Sequence, residues 1–331
     1  MTLTFAKNSK TAFLFPGQGA QAVGMGLDLY KESDSGKEVF DMVDEALGRS
    51  LSKIMFEGPE DELRETRNAQ PGIMAMSLAC IEVMKSNVPS EAIPIPYLMA
   101  GHSLGEYTAL VVSGSISFEE GLALVSKRGE LMGKYGSGSM LALPFEREAA
   151  VNIIDQSNCE IATVNQLKQT VVGGSDEDIL KLEEMFKSEF PKKRTVKLKT
   201  EGAFHTSLMN KAAEEFKEHL SQITFKEMNA PVLSNFSSEM HKIDGSDTAE
   251  LLYNQLFKPV DWLGCMQTAA NMKVDSIIEF GGGLGDGSEP NEKRPNLEGI
   301  TKKNFRALQN EVTYFPAINT STIEDTAKIV S

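Results

Sequence analysis

Ala100-Gly101-His102-Ser103-Leu104-Gly105-Glu106 is the stretch that decides the fold, because it fits G-x-S-x-G between an apolar run and a helix-compatible run. This layout is typical of a nucleophile elbow, in which a serine occupies a tight turn between a strand and a helix. Glycine at positions 101 and 105 removes side chains that would collide at so sharp a turn. The pattern predicts Ser103 as a nucleophile. Because only three positions are fixed, a base and a substrate anchor are needed in support.

The chain has four histidines from which a base for Ser103 can come. His102 adjoins the serine in an extended segment, where successive side chains point to opposite faces, so its ring is expected to face away. His219 falls in an amphipathic helical pattern, where it is expected to be solvated, and His241 falls in a polar loop. His205 lies between a strand-like run and a helix, where active-site loops are common, and is the predicted base. An ordinary loop histidine is the alternative interpretation.

An arginine lies on the apolar side of a helix predicted from Phe118 to about Tyr135. Apolar residues recur there at spacings of three, four and seven and define the buried face: Phe118, Leu122, Val125 and Met132. Arg128 falls within this stripe, whereas Lys127 and Glu130 fall outside it. A guanidinium turned toward a core needs an anion. That anion is either the carboxylate of a structural ion pair or the carboxylate of a substrate.

These residues and several further motifs resemble the malonyl-CoA:acyl carrier protein transacylase family, the acyltransferases of fatty-acid and polyketide synthesis. The resemblance covers nearly the whole chain. It rests on six ordered motifs at the family's spacing: Phe15-Pro16-Gly17-Gln18-Gly19-Ala20-Gln21, Gln70-Pro71, Gly101 to Tyr107, Arg128-Gly129, Ala203-Phe204-His205, and Asn254-Gln255-Leu256 followed by Pro259-Val260 and Trp262.

The resemblance implies a Ser–His mechanism without an acidic third member. Ser103 is similar to the family's nucleophile, His205 to its base and Arg128 to the group that grips the malonyl carboxylate. The main-chain carbonyl of Gln255 is expected to orient His205. The implied reaction is ping-pong transfer from malonyl-CoA, through a malonyl-serine ester, to the phosphopantetheine thiol of a holo acyl carrier protein. No cofactor and no metal are expected.

The resemblance also assigns the rest of the acyl site. Gln18 and Leu104 are expected to supply the main-chain N–H groups of the oxyanion hole, and Gln70 to line the acyl pocket. Ala203-Phe204-His205 is similar to the malonyl-selecting type, in which Phe204 excludes an α-methyl group. A methyl group is worth only about 1–3 kcal/mol in an apolar pocket, so this selection is expected to be modest. Ordinary packing of Phe204 is the alternative.

Composition agrees with a soluble intracellular enzyme that has no nucleic-acid partner and no membrane segment. The net charge of −14 argues against a nucleic-acid surface. The three cysteines are widely spaced, which indicates neither disulfides nor a zinc site. The apolar runs are too short to span a membrane, and the first ten residues lack a secretion signal. A cytoplasmic protein, or one of a plastid or mitochondrial matrix, is expected, and family resemblance suggests a monomer.

An acidic carrier protein must meet this acidic enzyme at a local basic patch. Two short runs are candidates: Lys192, Lys193, Arg194, Lys197 and Lys199 in the first, and Lys302, Lys303 and Arg306 in the second. Each run has a simple alternative as a solvated face.

Apolar and helical patterns predict strands over Thr11 to Phe15 and Arg194 to Lys199 and a helix over roughly Gly72 to Lys85. The alternation of strands and helices predicts an α/β fold with an α/β-hydrolase-like parallel-sheet core. From about Gly138 to Gly202 the order changes to β-α-β-β-α-β, which predicts an inserted ferredoxin-like subdomain. The predicted boundaries give a large subdomain of 1–137 and 203–331 and a small one of 138–202. Arg128 precedes the insert and His205 follows it, so the active site is expected in the cleft between the two parts.

One segment departs from the family pattern. After a strand at Ser276 to Phe280, residues 281–296 form a polar, Gly/Pro-rich insertion where the family usually has Gly-Pro-Gly. Such composition disfavours regular structure and indicates a surface loop.

Three other functions are weighed against acyl transfer. Gly17 to Ala22 fits G-x-G-x-x-A after a strand, which suggests a dinucleotide-binding oxidoreductase, but Pro16 and the later glycines fit that motif poorly. A serine esterase or thioesterase shares the elbow but leaves Arg128 without a role. A carrier-binding scaffold would lack the nucleophile or the base, and both are present.

Overall fold

The structure is a computed structural model that describes residues 9–89, 95–283 and 292–330. Its strands are β1 (Thr11–Phe15), β2 (Leu98–Gly101), β3 (Ser139–Leu143), β4 (Glu160–Gln166), β5 (Gln169–Gly174), β6 (Val196–Lys197), β7 (Val232–Leu233), β8 (Ser276–Phe280) and β9 (Thr313–Ala317). Its helices are α1 (Leu27–Glu32), α2 (Asp34–Leu47), α3 (Leu51–Glu57), α4 (Glu60–Arg64), α5 (Thr66–Asn87), α6 (Gly105–Val112), α7 (Phe118–Tyr135), α8 (Arg147–Ile154), α9 (Asp176–Glu189), α10 (Asn210–Leu220), α11 (Thr248–Phe257), α12 (Trp262–Asn271), α13 (Glu298–Ala307) and α14 (Thr320–Val330). The fold is mixed α/β, with one parallel and one separate antiparallel sheet.

The parallel sheet has five strands in the order β7-β2-β1-β8-β9. Every residue of the central strand β1 is buried, as expected of a strand that is covered on both faces. Alternate residues of β1 enter two different hydrophobic clusters, because successive side chains point to opposite faces. Phe13 and Phe15 join one cluster, and Ala12 and Leu14 join the other. The sheet is therefore a middle layer between two layers of helices.

Helix α5 is longer than the sequence pattern predicts. The predicted helix begins at Gly72, after Pro71, whereas the observed helix begins at Thr66 and contains the proline. Nearly every residue from Thr66 to Ile81 is buried, so packing stabilises the helix despite the N–H that proline lacks. The additional turn carries Gln70.

The antiparallel sheet has four strands in the order β4-β5-β3-β6. Residues of β3 and β5 pack against α8 and α9 in a hydrophobic cluster of their own. The strand predicted over Arg194 to Lys199 is shorter in the structure, where β6 comprises Val196–Lys197. Both of its residues are exposed at the edge of the sheet, so burial does not extend the pairing.

The chain enters and leaves the small sheet at one point. The N–H of Ala203 donates to the carbonyl of Ser137 across 2.8 Å, so the outgoing segment lies beside the incoming one. The small sheet also contacts the rest of the protein along β4, where Val164 and Ala162 exchange main-chain hydrogen bonds with Val260. Together with the hydrogen bond between His102, which follows β2, and Asn165 of β4, these contacts hold the small sheet beside the carboxyl end of β2.

Most element predictions are confirmed. Strands Thr11–Phe15 and Ser276–Phe280 and helix Phe118–Tyr135 have the predicted bounds. Of the Gly/Pro-rich insertion, residues 284–291 lie outside the described part of the chain. No helix within the described ranges combines the length and the apolar composition needed to cross a membrane.

Candidate active site

Ser103 occupies the turn between β2 and α6, where the sequence predicts a nucleophile elbow. Its φ of 54° is in the left-handed region, which costs a residue with a side chain about 1–3 kcal/mol. The flanking glycines permit this turn. A Cβ on Gly101 would lie 1.8 Å from the carbonyl carbon of Gly105, and a Cβ on Gly105 would lie 2.2 Å from the carbonyl oxygen of Phe15. The elbow therefore packs backbone to backbone against the end of β1.

His205 forms a hydrogen-bonded pair with Ser103. Its Nε2 lies 2.8 Å from the serine Oγ, and its Nδ1 lies 2.7 Å from the main-chain carbonyl oxygen of Gln255. Because a carbonyl oxygen only accepts, Nδ1 must carry the proton, and in the neutral ring Nε2 is then free to accept from the serine hydroxyl. The geometry is that of a serine with a base whose orientation is set by the main chain.

The pKa of His205 favours a neutral base. Burial lowers it to about 3, and the positive charge of Arg128 acts in the same direction, while the hydrogen bond to Gln255 opposes the shift. The ring is therefore unprotonated at neutral pH and can accept a proton. The backbone of His205, like that of Ser103, has a positive φ, here 61°.

Arg128 is fully buried and lies against the nucleophile. Its Nη1 donates to Oε1 of Gln70 across 2.7 Å, and its Nη2 donates to Oε1 of Gln255 and to Oγ of Ser103, both across 3.1 Å. Burial lowers the pKa of the guanidinium. Within the described part of the chain it forms no ion pair, so the structural salt bridge considered from sequence is not found there.

Gln18 and Leu104 border the same site from two loops. The N–H of His102 donates to the carbonyl of Phe15, which holds the loop after β1 beside the elbow. The main-chain N–H groups of Gln18 and Leu104 have no acceptor among the described residues, so both are free to bind an oxyanion. The Gln18 side chain donates to Thr66 Oγ1 across 3.1 Å. Their catalytic role stays a prediction.

Two further predicted site residues are buried, and one histidine outside the site differs from its prediction. Phe204 is 4% exposed and belongs to the large hydrophobic cluster, which agrees with either a pocket wall or ordinary packing. Gln70, predicted to line the acyl pocket, contacts the Arg128 guanidinium directly and is fully buried. His219 is half-buried at the end of α10 rather than fully solvated.

A buried polar network behind the elbow was missed from sequence. Glu106 accepts from Nε2 of His241 across 2.8 Å and from Nε2 of Gln255 across 3.0 Å. Asn235 joins it: its side chain contacts the Ser103 N–H at 2.5 Å, and its own N–H donates to Glu106. His241 is only 3% exposed although its neighbours in sequence are polar. The acidic residue that ends the G-x-S-x-G-E stretch was the one available signal.

His102 lies on the far side of the elbow turn. Its Nε2 is 2.8 Å from Oδ1 of Asn165 on β4, and its ring lies 5.5 Å from that of Trp262. Burial lowers the pKa of this histidine, so it is neutral and links the elbow to the small sheet. No cluster of three or more His, Cys, Asp or Glu side chains that could hold a metal occurs in the described ranges.

Known proteins are similar to this chain in sequence. Residues 12–280 match the family model of the acyl transferase domain. The malonyl CoA-acyl carrier protein transacylase of Bacillus subtilis is 38% identical over 310 residues, which cover 91% of this chain and 92% of that protein.

Solved structures of similar proteins have the same fold as this chain. Malonyl CoA-acyl carrier protein transacylase from Clostridium perfringens has a TM-score of 0.83 at 31% identity and covers 97% of this chain and 96% of its own. A malonyl-transacylase in complex with a holo type II PKS acyl-carrier protein has a TM-score of 0.84 at 27% identity, with 97% and 99% covered. With a family-model match over most of its length and a relative that is 38% identical, this chain belongs to the malonyl CoA-acyl carrier protein transacylase family.

Proposed function

We propose that this protein transfers a malonyl group from malonyl-CoA to the phosphopantetheine thiol of an acyl carrier protein, in fatty-acid or polyketide synthesis. One observation carries the proposal. Arg128 is a fully buried cation without a carboxylate partner among the described residues, and it contacts the oxygen of a serine that is paired with a neutral histidine. A buried charge is costly unless it is paired, so this site is suited to a substrate that brings an anion to the nucleophile.

In the first half-reaction Nε2 of His205 accepts the Ser103 hydroxyl proton as Oγ attacks the thioester carbonyl carbon. The tetrahedral intermediate collapses with cleavage of the C–S bond. Nε2 returns the proton to the departing sulfur, so that free coenzyme A and a malonyl ester of Ser103 result. The Gln255 carbonyl stabilises the imidazolium by accepting from Nδ1–H throughout.

The second half-reaction uses the same groups in reverse. His205 accepts the proton of the phosphopantetheine thiol, and the sulfur attacks the ester carbonyl of malonyl-Ser103. The C–Oγ bond breaks, and Nε2 returns the proton to Oγ. The products are malonyl-carrier protein and the free serine, which explains how one site serves two thiols.

The developing oxyanion is proposed to bind the main-chain N–H groups of Gln18 and Leu104. Donors of this kind lower the barrier of acyl transfer by about 3–4 kcal/mol each. The free state of both N–H groups in the described chain supports this role. The backbone packing of Gly105 against Phe15 supports it further, because it keeps the two loops in register.

The carboxylate is proposed to bind the Arg128 guanidinium, whose Nε has no hydrogen-bond partner within the described ranges. A malonyl ester places its carboxylate two carbons beyond the ester carbonyl, which is within reach of a cation that touches Oγ. This anchor favours malonyl over acetyl and fixes the ester against attack by water. Phe204 is proposed as a wall that disfavours an α-methyl group.

The finer description of the fold is also proposed. The strand order β4-β5-β3-β6 and its two helices support a ferredoxin-like small subdomain of 138–202. The contact between Ala203 and Ser137 supports the boundary to a large subdomain of 1–137 and 203–331. The elbow between β2 and α6 supports a core of the α/β-hydrolase type. A monomeric, cytoplasmic protein remains a prediction.

Of the two basic runs, the one at 192–199 is proposed to meet the acidic carrier protein. All five of its cationic residues are exposed, and they form no ion pair with the described residues: Lys192, Lys193, Arg194, Lys197 and Lys199. In the other run, Lys302 is half-buried and paired with Glu298. An unpaired surface charge retains more of its attraction for an approaching anion.

Intact-protein mass spectrometry after brief incubation with malonyl-CoA tests the function. The expected result is one malonyl adduct on the wild type, lost on addition of holo carrier protein, and no adduct on Ser103→Ala. Ser113→Ala, a buried serine at the end of α6, is the matched control and should still be labelled. Release of free malonate without carrier protein would instead support a thioesterase.

A further inference from the structure

The carboxylate of Glu106 lies behind the Ser103–His205 pair and hydrogen-bonds to neither side chain of it. It has no exposed surface. Its Oε1 accepts from Nε2 of His241 across 2.8 Å, and its Oε2 accepts from Nε2 of Gln255 across 3.0 Å and from the N–H of Asn235 across 2.9 Å. Three donors on one buried carboxylate form a rigid, charge-assisted arrangement.

Gln255 joins this carboxylate to both functional groups of the site. Its main-chain carbonyl accepts from His205 Nδ1 across 2.7 Å, and its side-chain Oε1 accepts from Arg128 Nη2 across 3.1 Å. Its Nε2 donates to Glu106 and, across 2.7 Å, to the carbonyl of Ser103. Since the arginine only donates and the two other partners only accept, the orientation of the amide is fixed.

We propose that Glu106, held by His241, is a positioning residue for acyl transfer, and that it acts by fixing Gln255. One residue then sets the direction of the base and of the carboxylate anchor together. The proposal rests on the function proposed above and deepens it, because it states what keeps both groups aligned on Ser103.

The charge of Glu106 suits this role. Burial lowers the pKa of Arg128, whereas Tyr107 and, to a smaller extent, the nearby Glu106 carboxylate oppose that shift. The carboxylate acts on the guanidinium from behind the Gln255 amide, without forming an ion pair with it. The arginine therefore has a negative charge nearby but no carboxylate partner of its own among the described residues.

A purely structural role makes different predictions. Removal of one partner from a buried charged network lowers thermal stability whether or not the network positions the site. A positioning role changes two further quantities together. The ratio of malonyl to acetyl transfer reports the alignment of Arg128. The rate at which a neutral fluorophosphonate modifies Ser103 reports the alignment of His205. Both rates are measured per active site in single-turnover experiments, so that a smaller folded fraction does not affect them.

For Glu106→Ala we expect Ser103 malonylation to slow about 100-fold, the typical cost of a displacement near 1 Å. The malonyl-to-acetyl ratio and the fluorophosphonate rate should fall in parallel. Glu106→Gln keeps an acceptor for Gln255, and its amide can donate to the other tautomer of His241. It should therefore recover most of the rate. His241→Ala, which leaves Oε1 without its donor, should slow both reactions about tenfold, and His241→Gln should restore them.

Glu279→Gln is the matched control. Glu279 is also a fully buried carboxylate, and it accepts from the hydroxyl of Tyr314 and the N–H of Leu297. It hydrogen-bonds to none of the site residues. We expect this variant to lose thermal stability and to keep both rates and the wild-type ratio.

Wild-type values of all three readouts in His241→Ala and in folded Glu106→Ala would overturn the proposal. If Glu106→Ala does not fold, His241→Ala and its rescue by His241→Gln decide in the same way. Failure of the wild type to form a malonyl ester would contradict the proposed function instead. The fluorophosphonate rates would then decide whether Glu106 positions His205.

Discussion

Arg128 donates from Nη2 to the hydroxyl oxygen of Ser103 across 3.1 Å, and both residues are buried. The same oxygen is 2.8 Å from the base, His205 Nε2. The nucleophile is thus held between a cation and a neutral acceptor. This arrangement favours loss of its proton and places the anchor where a dicarboxylic acyl group must bind.

Arg128→Ala should separate malonyl from acetyl transfer. We expect kcat/KM for malonyl-CoA to fall about 100-fold, since hydrogen bonds to charged groups contribute about 1.5–3 kcal/mol each, and acetyl-CoA to be much less affected. Arg128→Lys should give an intermediate kcat/KM for malonyl-CoA, because lysine keeps the charge but lacks the planar pair of N–H donors that binds a carboxylate through two hydrogen bonds. Steady-state kinetics with both thioesters measure this.

The control for that experiment lies on the same helix. Lys127 faces outward and pairs with Glu130, so Lys127→Ala should leave both substrates unaffected. An equal loss for acetyl-CoA and malonyl-CoA in Arg128→Ala would show that the arginine supports the nucleophile and does not select the substrate.

The low pKa of His205 predicts an unusual pH profile. Because the value is about 3 in the free protein, the base stays neutral far below the ordinary histidine range. Acylation of Ser103, followed as kcat/KM between pH 5 and 8, should show no loss of rate near pH 6.5. Substrate carboxylate bound at Arg128 offsets one cause of the shift, so the acid limb of kcat should lie at higher pH than that of kcat/KM.

The stability effect of His205 has a defined sign. A depressed pKa means that the unfolded chain binds the proton more readily, so the contribution of the neutral ring is complete above about pH 6.5 and is lost as pH falls toward 3. Thermal unfolding of the wild type should therefore be more sensitive to acid than that of His205→Gln. Equal sensitivity would mean that the pKa of His205 is not depressed.

Some residues of the site could be predicted from the sequence and others could not. The elbow was predictable because Gly101 and Gly105 meet a local backbone requirement, and Arg128 because helical periodicity is a local signal. The pairing of Glu106 with His241 was not, since it joins residues 135 positions apart and depends on tertiary packing. A histidine among polar residues gives no sign that the fold will bury it.

In the fold, too, local features were predictable from sequence and those that depend on tertiary packing were not. Strands buried on both faces, such as β1 and β8, had correct bounds, because continuous apolar runs are specific to such strands. The start of α5 was misjudged at Pro71, where packing overrides a local signal. Edge strand β6 was shortened because its exposed side chains do not stabilise further pairing.

Gly105→Ala should weaken both stability and activity. The added methyl group would lie 2.2 Å from the carbonyl oxygen of Phe15, so the loop that carries Gln18 must move. We expect a loss of about 1–3 kcal/mol in the free energy of unfolding, the usual cost of overpacking, and a lower kcat. Chemical denaturation and single-turnover acylation measure the two effects.

Gly299→Ala is the opposite case and serves as the control. Gly299 is exposed in α13, and a Cβ there would meet no atom within 4 Å. This change should stabilise the protein by up to about 1 kcal/mol, because alanine loses less backbone entropy in a helix. Similar effects of both substitutions would contradict the close packing at the elbow.

Charge reversal in the basic run at 192–199 should affect only the second half-reaction. For Lys192→Glu combined with Arg194→Glu, we expect the KM for holo carrier protein to rise about tenfold at low salt and the difference to shrink as salt is added. Malonylation of Ser103 from malonyl-CoA should be unchanged. Stopped-flow or quench-flow measurement of each half-reaction separates the two steps.

Lys181→Glu combined with Lys187→Glu changes the charge of the same subdomain equally. Both lysines lie on α9 and pair with glutamates one turn earlier, so they offer less free charge to a partner. The control should therefore raise the KM for carrier protein less than the double change at positions 192 and 194. If both double variants raise the KM for carrier protein equally, overall charge governs the encounter and the basic run at 192–199 is not a docking site. If malonylation slows as well, the run binds the phosphates of coenzyme A.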